Sequence, residues 1–294
     1  MSHVRVSSRL TNPQRAPLQV FSKQDLLRVG ALVVQVAARE IMPRFGRLQQ
    51  HQVRAKTSDF DLVTQADEAA EAAITAGLLA AFPGAAVLGE EAVAREPSLL
   101  QAWGAAELTF VVDPLDGTKN FASGLPLFGV MVAVVAQTTV VGAVIHDPVT
   151  RSTAYALRDG GAWLVDADGG SQPLHVAAPV PVHEIQGIAG TNFLPEPLRS
   201  TVNGNLSRLL MTNWFRCAAH EYRLAAAGHC HILFYNKLMP WDHAAGWLLH
   251  REAGGYSAHF DGTPYVPTHT TGGLLCAPDE RCWHQVHAAL FAPR

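Results

Sequence analysis

The chain has 294 residues, 48% of them hydrophobic and 16% charged, which excludes a disordered protein and indicates a globular one with a large core. Its formal net charge of -3 excludes a broad basic surface, so no nucleic acid polymer is expected as a partner. The cysteines lack the density of a disulfide framework and the spacing of a C-x-x-C zinc site. We interpret them as reduced thiols, which are typical of a cytoplasmic protein.

The N-terminal residues 1–21 are polar and lack the apolar core of a signal peptide, so they are predicted to form a loose arm. The most apolar region, residues 125–145, is interrupted by Pro126 and by the polar residues 137–139. Because it is too broken to span a bilayer, no membrane contact is expected. Its β-branched residues instead predict two strands joined by a short turn.

Helix signals dominate the first eighty residues. Ser22 followed by Asp25 forms a capping box, and the helix that it starts is predicted to stop near Pro43. A polar loop is predicted over residues 51–61. A second helix is predicted from Thr64 to a Pro-Gly break.

Short apolar segments then predict strands. The segment AAVLGEE is interpreted as a buried strand ending in Glu90 and Glu91, and LTFVVD as another that ends in Asp113. The hairpin over residues 125–145 follows, and after it the strands STAYALRD and GAWLVD.

The second half of the chain begins with proline- and glycine-rich loops near residues 178–204. The segment AAHEYRLAAAGH is predicted to be helical, and ILFYNKLMPWDHAAGWLLHREAGG predicts a strand, a loop and a helix. A last helix is predicted over residues 280–290. Alternating helices and strands favour a layered α/β structure.

The stretch DPLDGT places Asp113 and Asp116 close together at the end of a buried strand. Two ionised carboxylates in such a position repel each other, and a divalent cation would remove the repulsion. Pro114 restrains the backbone and Asp116-Gly117 is a turn signal, so the turn is predicted to aim both side chains at one point. The same turn is predicted to direct the N–H groups of Gly117 and Thr118 toward an anion.

Two further acidic residues, Glu90 and Asp242, also lie at the ends of predicted elements. Taken singly, Glu90 is explained as a solvated charge and Asp242 as a helix cap. Hard cations such as Mg²⁺ prefer carboxylate oxygens, and paired cations stabilise the attacking and leaving oxygens of phosphoryl transfer. Together with the DPLDGT stretch, these residues predict a divalent-cation site.

Four signatures stand in one order along the chain: K-x4-DLVT-x2-D from Lys56, GEE, DPLDGTKNF and WDHAAGWLLHREAGG. In this order the sequence resembles the inositol monophosphatase-like family of Mg²⁺-dependent, lithium-sensitive phosphatases, from about residue 22 onward. The resemblance implies a layered αβαβα sandwich that is usually dimeric, so a homodimer is expected. It also implies an N-terminal half, residues 22–155, with most metal ligands, and a C-terminal half, residues 156–294, that supplies Asp242 and the substrate pocket.

By the same resemblance, Glu90, Asp113 and the backbone carbonyl of Leu115 look like ligands of a first Mg²⁺. Asp113, Asp116 and Asp242 look like ligands of a second, and Glu90 also helps to hold a third, weaker ion. Mn²⁺ is implied as a substitute. The reaction implied is hydrolysis of a small phosphate monoester by metal-activated water, without a covalent intermediate.

The resemblance also implies the remaining catalytic residues. Thr118 looks like the hydroxyl that orients the attacking water, Asp67 looks like the residue that positions Thr118, and Glu90 counts among the catalytic residues. Lithium is expected to inhibit by replacing an ion in the weaker second site.

Five residues are implied to bind the substrate. Gly117 and Thr118 are expected to receive the phosphate on their N–H groups, and Ala218 and Tyr235 to contribute to the substrate site. Lys56 falls in a mobile loop that closes over the site in the family.

Two departures from the family pattern concern the substrate. Six residues before Trp241, inositol-selective members carry a glutamate, whereas this chain has Tyr235, which offers one hydroxyl and a flat ring. Inositol 1-phosphate is therefore predicted not to be the best substrate. The alternative that Tyr235 points elsewhere and a residue of the Thr191-Asn192 loop contacts the substrate hydroxyls remains open. The family's Gly-Ser/Thr-Ala-Ala is followed by small or apolar residues, whereas this chain reads RCAAHEYR. For His220, Glu221 and Arg223, structural hydrogen bonds, a dimer contact and a role in an altered pocket all remain open.

Two other kinds of protein fit the motifs less well than a metal-dependent phosphatase of this family. A haloacid-dehalogenase phosphatase uses D-x-D-G-T and a phosphorylated aspartate, but the spacing here, D-x-x-D-G-T, is one residue too long. A non-catalytic binding or regulatory member of the family would have lost a ligand, and every expected ligand is present. Within the family, inositol phosphates, histidinol phosphate, sugar bisphosphates and 3′-phosphoadenosine phosphates remain open as substrates.

Overall fold

The computed structural model of the protein describes residues 21–47, 53–58, 61–102 and 106–293. The arm predicted over residues 1–21 thus lies, except for residue 21, outside the described residues. The described helices and strands form five layers, which are taken in order below.

The first layer consists of two helices, α1 (Lys23–Val36) and α2 (Gln65–Ala81). Ser22 caps α1 as predicted: the Asp25 N–H donates to Ser22 Oγ over 3.1 Å, and the Asp25 carboxylate accepts from the Ser22 N–H over 3.1 Å. A π-turn and a 3₁₀ turn continue α1 to residue 44, so the helical path ends near Pro43 as expected.

A hairpin of β1 (Val53–Ser58) and β2 (Asp61–Thr64) leads into α2. The prediction of a polar loop over residues 51–61 is therefore wrong for the part that the structure describes. Thr64 ends the hairpin and caps α2, as the sequence predicted.

The second layer is a sheet in which strands that follow one another in sequence are also neighbours in space. Its strands are β3 (Ala86–Gly89), β4 (Leu108–Asp116), β5 (Gly129–Ala136), β6 (Thr139–Asp147), β7 (Ser152–Leu157), β8 (Gly161–Val165) and β9 (Ser171–Pro173). β3 and β4 are parallel and the later pairs are antiparallel. Helices pack on both faces, which explains why β5 and β6 are almost continuously apolar.

Three short helices follow strands of this sheet: α3 (Glu90–Arg95), α4 (Leu99–Ala102) and α5 (Thr118–Ala122). Glu90 and Glu91 thus begin α3, and the prediction that they end a strand is wrong. β4 does not end at Asp113 either, since it continues to Asp116 with a break in its register between these two residues.

The third layer consists of α7 (Ala218–Ala226) and α8 (Pro240–Glu252), which pack between the two sheets. The fourth layer is a sheet of β10 (Gln186–Ala189), β11 (Met211–Asn213), β12 (Ile232–Tyr235), β13 (Tyr256–Ala258) and β14 (Leu274–Ala277), in the order β11-β10-β12-β14-β13. The outer layer is α6 (Leu198–Asn205) with α9 (Glu280–Phe291). The predicted αβαβα sandwich is therefore confirmed.

Part of the region predicted as loops, residues 178–204, is regular structure, since it contains β10 and most of α6. The division into halves at residue 155 stays a prediction; the larger sheet itself continues to Pro173. Within the described residues, no helix is both long enough and apolar enough to cross a bilayer.

Candidate active site

Three carboxylates converge where β3, β4 and α8 meet. Glu90 follows β3, Asp113 lies in β4, and Asp242 lies in the first turn of α8. Because β3 and β4 are parallel, their carboxyl ends lie at the same edge of the sheet. One oxygen of each side chain lies within 4.8 Å of the others, and Asp113 is only 1% exposed. The structure thus brings together three of the predicted metal ligands.

Glu71 holds the first turn of α3, and hence the backbone of Glu90. Its side chain is 3% exposed, and its Oε2 accepts a hydrogen bond from the Glu91 N–H over 2.7 Å. A Cβ at position 89 would lie 2.3 Å from the same oxygen, so Gly89 is required for this close approach. The sequence analysis missed Glu71. The signal was a glutamate one helical turn after Asp67, on the same face of an apolar helix.

Replacing Glu71 with alanine is expected to lower the free energy of unfolding by about 1–3 kcal/mol, because the buried Glu91 N–H loses its acceptor. The kcat/KM of the reaction at this site is expected to fall as well, since Glu90 is then free to move. Urea unfolding and kcat/KM at saturating Mg²⁺ measure the two effects, and Glu71→Gln should retain part of both. Glu68→Ala on the same helix, which breaks only a surface ion pair with Arg54, is the control. A destabilised Glu71→Ala variant with unchanged kcat/KM would show that Glu71 does not position Glu90.

Asp116 lies beside these carboxylates but is also tied to the start of α7. Its Oδ2 accepts hydrogen bonds from the Ala219 N–H over 2.5 Å and from the Cys217 thiol over 3.1 Å. Burial raises the pKa of Asp116 to about 6, although these two hydrogen bonds lower it. Asp116 therefore connects β4 to α7, and its role as a metal ligand stays a prediction.

The carboxylates at this site disfavour one another's ionised forms. Burial raises the pKa of Asp113 well above its usual range, and the negative charges of Glu90, Asp116 and Asp242 raise it further. Burial and the charges of Glu90 and Asp116 raise the pKa of Asp242, while nearby Lys237 and a hydrogen bond with Asp113 partly oppose this rise. Oxygen donors gathered in this way fit a hard divalent cation such as Mg²⁺ or Mn²⁺.

Adding Mg²⁺ to metal-free protein is expected to raise the Tm at about pH 7.5, by an increment that shrinks as the pH falls below about 6. The reason is that the pKa of Asp116 is about 6 and those of Asp113 and Asp242 are raised as well, so protons compete with the cation at acidic pH. Calorimetry with and without Mg²⁺ from about pH 5 to pH 8 measures the increment. An equal increment at both ends of this range would contradict a carboxylate site.

Thr118 and Asp67 form a hydrogen-bonded pair next to the carboxylates. The Thr118 Oγ1 lies 2.9 Å from Asp67 Oδ1 and 2.9 Å from the carbonyl oxygen of Leu115. The other Asp67 oxygen accepts from the Thr64 N–H over 2.9 Å and from the Thr64 hydroxyl over 2.5 Å. Burial raises the pKa of Asp67 to about 6 against the lowering effect of these hydrogen bonds. The contact between Thr118 and Asp67 that the sequence predicted is therefore present.

Gly117 makes the turn that starts α5. Its φ of 86° lies in the left-handed region, and a Cβ would lie 2.8 Å from the carbonyl oxygen of Leu127. Only glycine fits this position, so the backbone can turn directly into the N–H groups that begin α5.

A cavity of about 680 Å³ opens in front of these groups. The predicted residues Ala218 and Tyr235 line it, in addition to Gly117 and Thr118. The backbone of Lys56 lies in β1, and its side chain lies outside the described residues. The cavity also has a loop lining: Gly190, Asn192, Phe193, Trp214, Arg216, Asn236 and Lys237. Of these, only Asn192 belongs to a loop that the sequence offered as substrate-binding.

Tyr235 does not present its hydroxyl to the cavity, which corrects the expectation that this hydroxyl faces a substrate. The hydroxyl is buried near the Glu221 carboxylate, but it has no hydrogen-bond partner of good geometry among the described residues. Its ring packs 4.6 Å from that of His243 between centroids. The Glu221 carboxylate accepts from the Phe215 N–H over 3.0 Å. Burial raises the pKa of Glu221 to about 7, although the nearby Tyr235 hydroxyl and the Phe215 N–H lower it. Glu221 is thus a residue of the cavity wall next to Tyr235.

His220 and Arg223 have structural contacts on another side of α7. Arg223 forms an ion pair with Asp147 over 3.0 Å, and His220 Nε2 lies 3.1 Å from the carbonyl oxygen of Phe128. Neither residue lines the cavity described above. Of the three residues left open by the sequence, only Glu221 belongs to the cavity.

Comparison with known proteins gives the family. The sequence profile of the Inositol monophosphatase family matches residues 22–293. An inositol-1-monophosphatase from Mesorhizobium japonicum is 34% identical over 252 residues, which cover 82% of this chain and 88% of that protein. The Nus factor SuhB of Pseudomonas aeruginosa is 33% identical over 254 residues, which cover 82% of this chain and 87% of that protein. The chain belongs to the inositol monophosphatase family, as its motifs predicted.

Solved structures show the same fold. The extragenic suppressor protein suhB from Bartonella henselae superimposes with a TM-score of 0.78 at 27% identity, covering 92% of this chain and 99% of that chain. An IMPase from Thermotoga maritima gives a TM-score of 0.72 at 24% identity, covering 88% of this chain and 95% of that chain.

Proposed function

We propose that the protein hydrolyses a small phosphate monoester with the help of Mg²⁺ or Mn²⁺. The observation that carries the proposal is the convergence of Glu90, Asp113 and Asp242 within 4.8 Å, beside the pair of Thr118 and Asp67. Asp116 and the Leu115 carbonyl are proposed as the remaining ligands of two or three ions. Bound divalent cations neutralise the charge of a phosphate and lower the pKa of a water that attacks it.

The residues of the chain orient the water and accept its proton. When the Thr118 hydroxyl donates to Asp67, the lone pairs of Oγ1 are free to accept a hydrogen bond from the attacking water. As the new P–O bond forms and the P–O bond to the leaving group breaks, the water proton passes to Thr118 and the Thr118 proton passes to Asp67. The leaving oxygen takes up a proton from solvent water and departs as the alcohol. A pKa of about 6 allows Asp67 to accept this proton near neutral pH. The N–H groups of Gly117 and Thr118 are proposed to hold the phosphate oxygens.

Phosphate release from a panel of monoesters, with Mg²⁺ titrated into chelator-treated protein, tests the proposal. Activity is expected only with Mg²⁺ or Mn²⁺, and full activity after exhaustive chelation would rule the mechanism out. Acid quenching with a ³²P-labelled substrate is expected to trap no phosphorylated protein. A trapped phosphoaspartate would favour the haloacid-dehalogenase mechanism instead.

The cavity favours a leaving group that is flatter and less hydroxylated than inositol. The buried Tyr235 hydroxyl does not face the cavity, while Phe193 and Trp214 add aromatic lining. Histidinol phosphate and 3′-phosphoadenosine 5′-phosphate are therefore proposed to exceed inositol 1-phosphate in kcat/KM. A preference for inositol 1-phosphate would contradict this part of the proposal. Inhibition by lithium, a homodimer and a cytoplasmic location belong to the same proposal and are supported by family membership.

A non-catalytic regulatory role is the second candidate, because relatives named Nus factor SuhB are about as similar as those named inositol-1-monophosphatase. A protein that binds Mg²⁺ but hydrolyses none of the monoesters would favour that role.

A further inference from the structure

The loop lining of the cavity comes from one edge of the five-stranded sheet. β10 is parallel to both β11 and β12, so the loops that follow these three strands leave the sheet at the same edge. They supply Phe193, then Trp214 and Arg216, and then Lys237. Such an edge is where α/β proteins commonly bind ligands. The order and direction of these strands therefore place the loop residues in the cavity wall.

Arg216 has a backbone conformation that arginine rarely adopts. Its φ is 57°, in the region that favours glycine. Among the described residues, the other non-glycine residues with positive φ are Gln137, Arg151 and Asp159, and each lies in the turn of a β-hairpin. Arg216 lies instead in the loop before α7, in the lining of the cavity. An arginine at such a strained backbone position indicates that its side chain has a function.

The charge of Arg216 is directed to the cavity rather than to an ion pair. Arg216 is exposed and lines the cavity, and within the described ranges its guanidinium forms no ion pair with a carboxylate. Lys237 lines the cavity as well, with its Nζ 5.7 Å from the Phe193 ring centroid. Guanidinium groups bind carboxylates and phosphates through two parallel hydrogen bonds.

Two large aromatic side chains lie in the same lining. Phe193 is 61% exposed and Trp214 is 44% exposed, although side chains of this size are usually buried. Aromatic faces left open in a ligand cavity can stack on a flat ring.

We propose that Arg216, Phe193 and Trp214 form a subsite for the leaving group. The subsite selects phosphate monoesters whose leaving group has a flat ring and a second anionic group, either a carboxylate or a phosphate. This inference rests on the proposed phosphatase function. The acidic residues of the cavity disfavour a second negative charge, and the guanidinium of Arg216, with Lys237 in the same lining, opposes this effect.

The test compares benzyl phosphate with 4-carboxybenzyl phosphate and 1,4-xylylene bisphosphate. Wild type is expected to favour at least one anionic ester about tenfold in kcat/KM, and the better of the two identifies the anionic group. Arg216→Gly is expected to abolish or reverse the preference without lowering the Tm, because glycine accepts the positive φ. Arg151→Gly, which makes the same change at a φ of 56° outside the cavity, is the matched control and should retain the preference. A wild type without the preference, or an Arg216→Gly variant that keeps it, would overturn the proposal.

A separate experiment tests whether the two aromatic rings contact the leaving group. Phe193→Ala and Trp214→Ala are expected to lower kcat/KM for benzyl phosphate about two- to tenfold more than for glycerol 2-phosphate, which has no ring. Equal losses on both esters would show that these rings do not contact the leaving group.

Binding of the same esters to a Thr118→Ala variant, measured by calorimetry, distinguishes a failure of the leaving-group subsite from a failure of the phosphatase function. Selective binding of the anionic esters together with no hydrolysis by wild type would support the subsite and overturn the phosphatase function. Hydrolysis of all esters without selectivity would overturn the subsite alone.

Discussion

Replacing Asp113 with asparagine is expected to lower kcat/KM by about 10³-fold or more and, in the absence of metal, to raise the Tm. Asp113 is nearly the same size as asparagine, and its Oδ1, which accepts from the Leu115 N–H over 3.0 Å, has a counterpart in the amide oxygen. The change therefore removes a charge with little change in shape. Loss of a buried carboxylate that is proposed to bind both cations is worth several kcal/mol, and each 1.36 kcal/mol is about tenfold in rate.

The gain in stability follows from the pKa of Asp113. This pKa is raised in the folded protein by burial and by neighbouring carboxylates, so folding favours the protonated acid. Stability is therefore lost as the pH rises from the unfolded pKa, about 3.8, through the folded one, and the ionised group opposes folding at neutral pH. Asparagine carries no charge there, and each kcal/mol recovered raises the Tm by about 2–4 °C.

Three measurements check this expectation: kcat/KM, Mg²⁺ affinity by calorimetry, and the Tm in EDTA. Asp168→Asn, at an exposed turn between β8 and β9, is the control for the chemical change itself. Retained activity in Asp113→Asn would exclude Asp113 as a metal ligand. Lost activity with a lowered Tm in EDTA would indicate damage to the fold rather than loss of a charge.

Replacing Thr118 with alanine is expected to lower kcat by about 10²–10³-fold while leaving KM and Mg²⁺ affinity nearly unchanged. The Thr118 hydroxyl contacts Asp67 and the Leu115 carbonyl, and it does not belong to the cluster of Glu90, Asp113 and Asp242. Its loss therefore removes the group that orients the water but not the carboxylates. Thr118→Ser, which keeps a hydroxyl, should restore most of kcat.

A double-mutant cycle with Asp67→Asn tests whether the two residues act as a unit. Each single variant should show a similar loss in kcat, and the double variant should be little worse than either, because both remove the same step. Additive losses would place Asp67 in a separate role. A Thr118→Ala variant that binds Mg²⁺ poorly but keeps kcat per bound site would make Thr118 part of the metal site instead.

Local features could be read directly from the sequence. The caps at Ser22 and Thr64 depend on residues within one helical turn, and the apolar runs that became β4 to β6 depend on periodicity within one segment. The carboxylates of the site were predictable because strand and helix ends show as local breaks in pattern. The short strands β9 to β11, β13 and β14 were missed, since three or four residues carry too little periodicity.

Side-chain directions depended on residues far away in the chain. The family and the converging acidic residues could be predicted from motifs in the sequence, local periodicity predicted a layered α/β structure, and the resemblance to the family implied the αβαβα class. Packing in three dimensions determines that Asp116 accepts from the Ala219 N–H, 103 residues later, and that the Tyr235 hydroxyl is buried away from the cavity. It also determines that Glu71 holds the turn of Glu90 and that Arg216 faces the cavity. The physical reason is that a buried polar group takes the partner that packing brings to it, and that packing joins elements from distant parts of the chain.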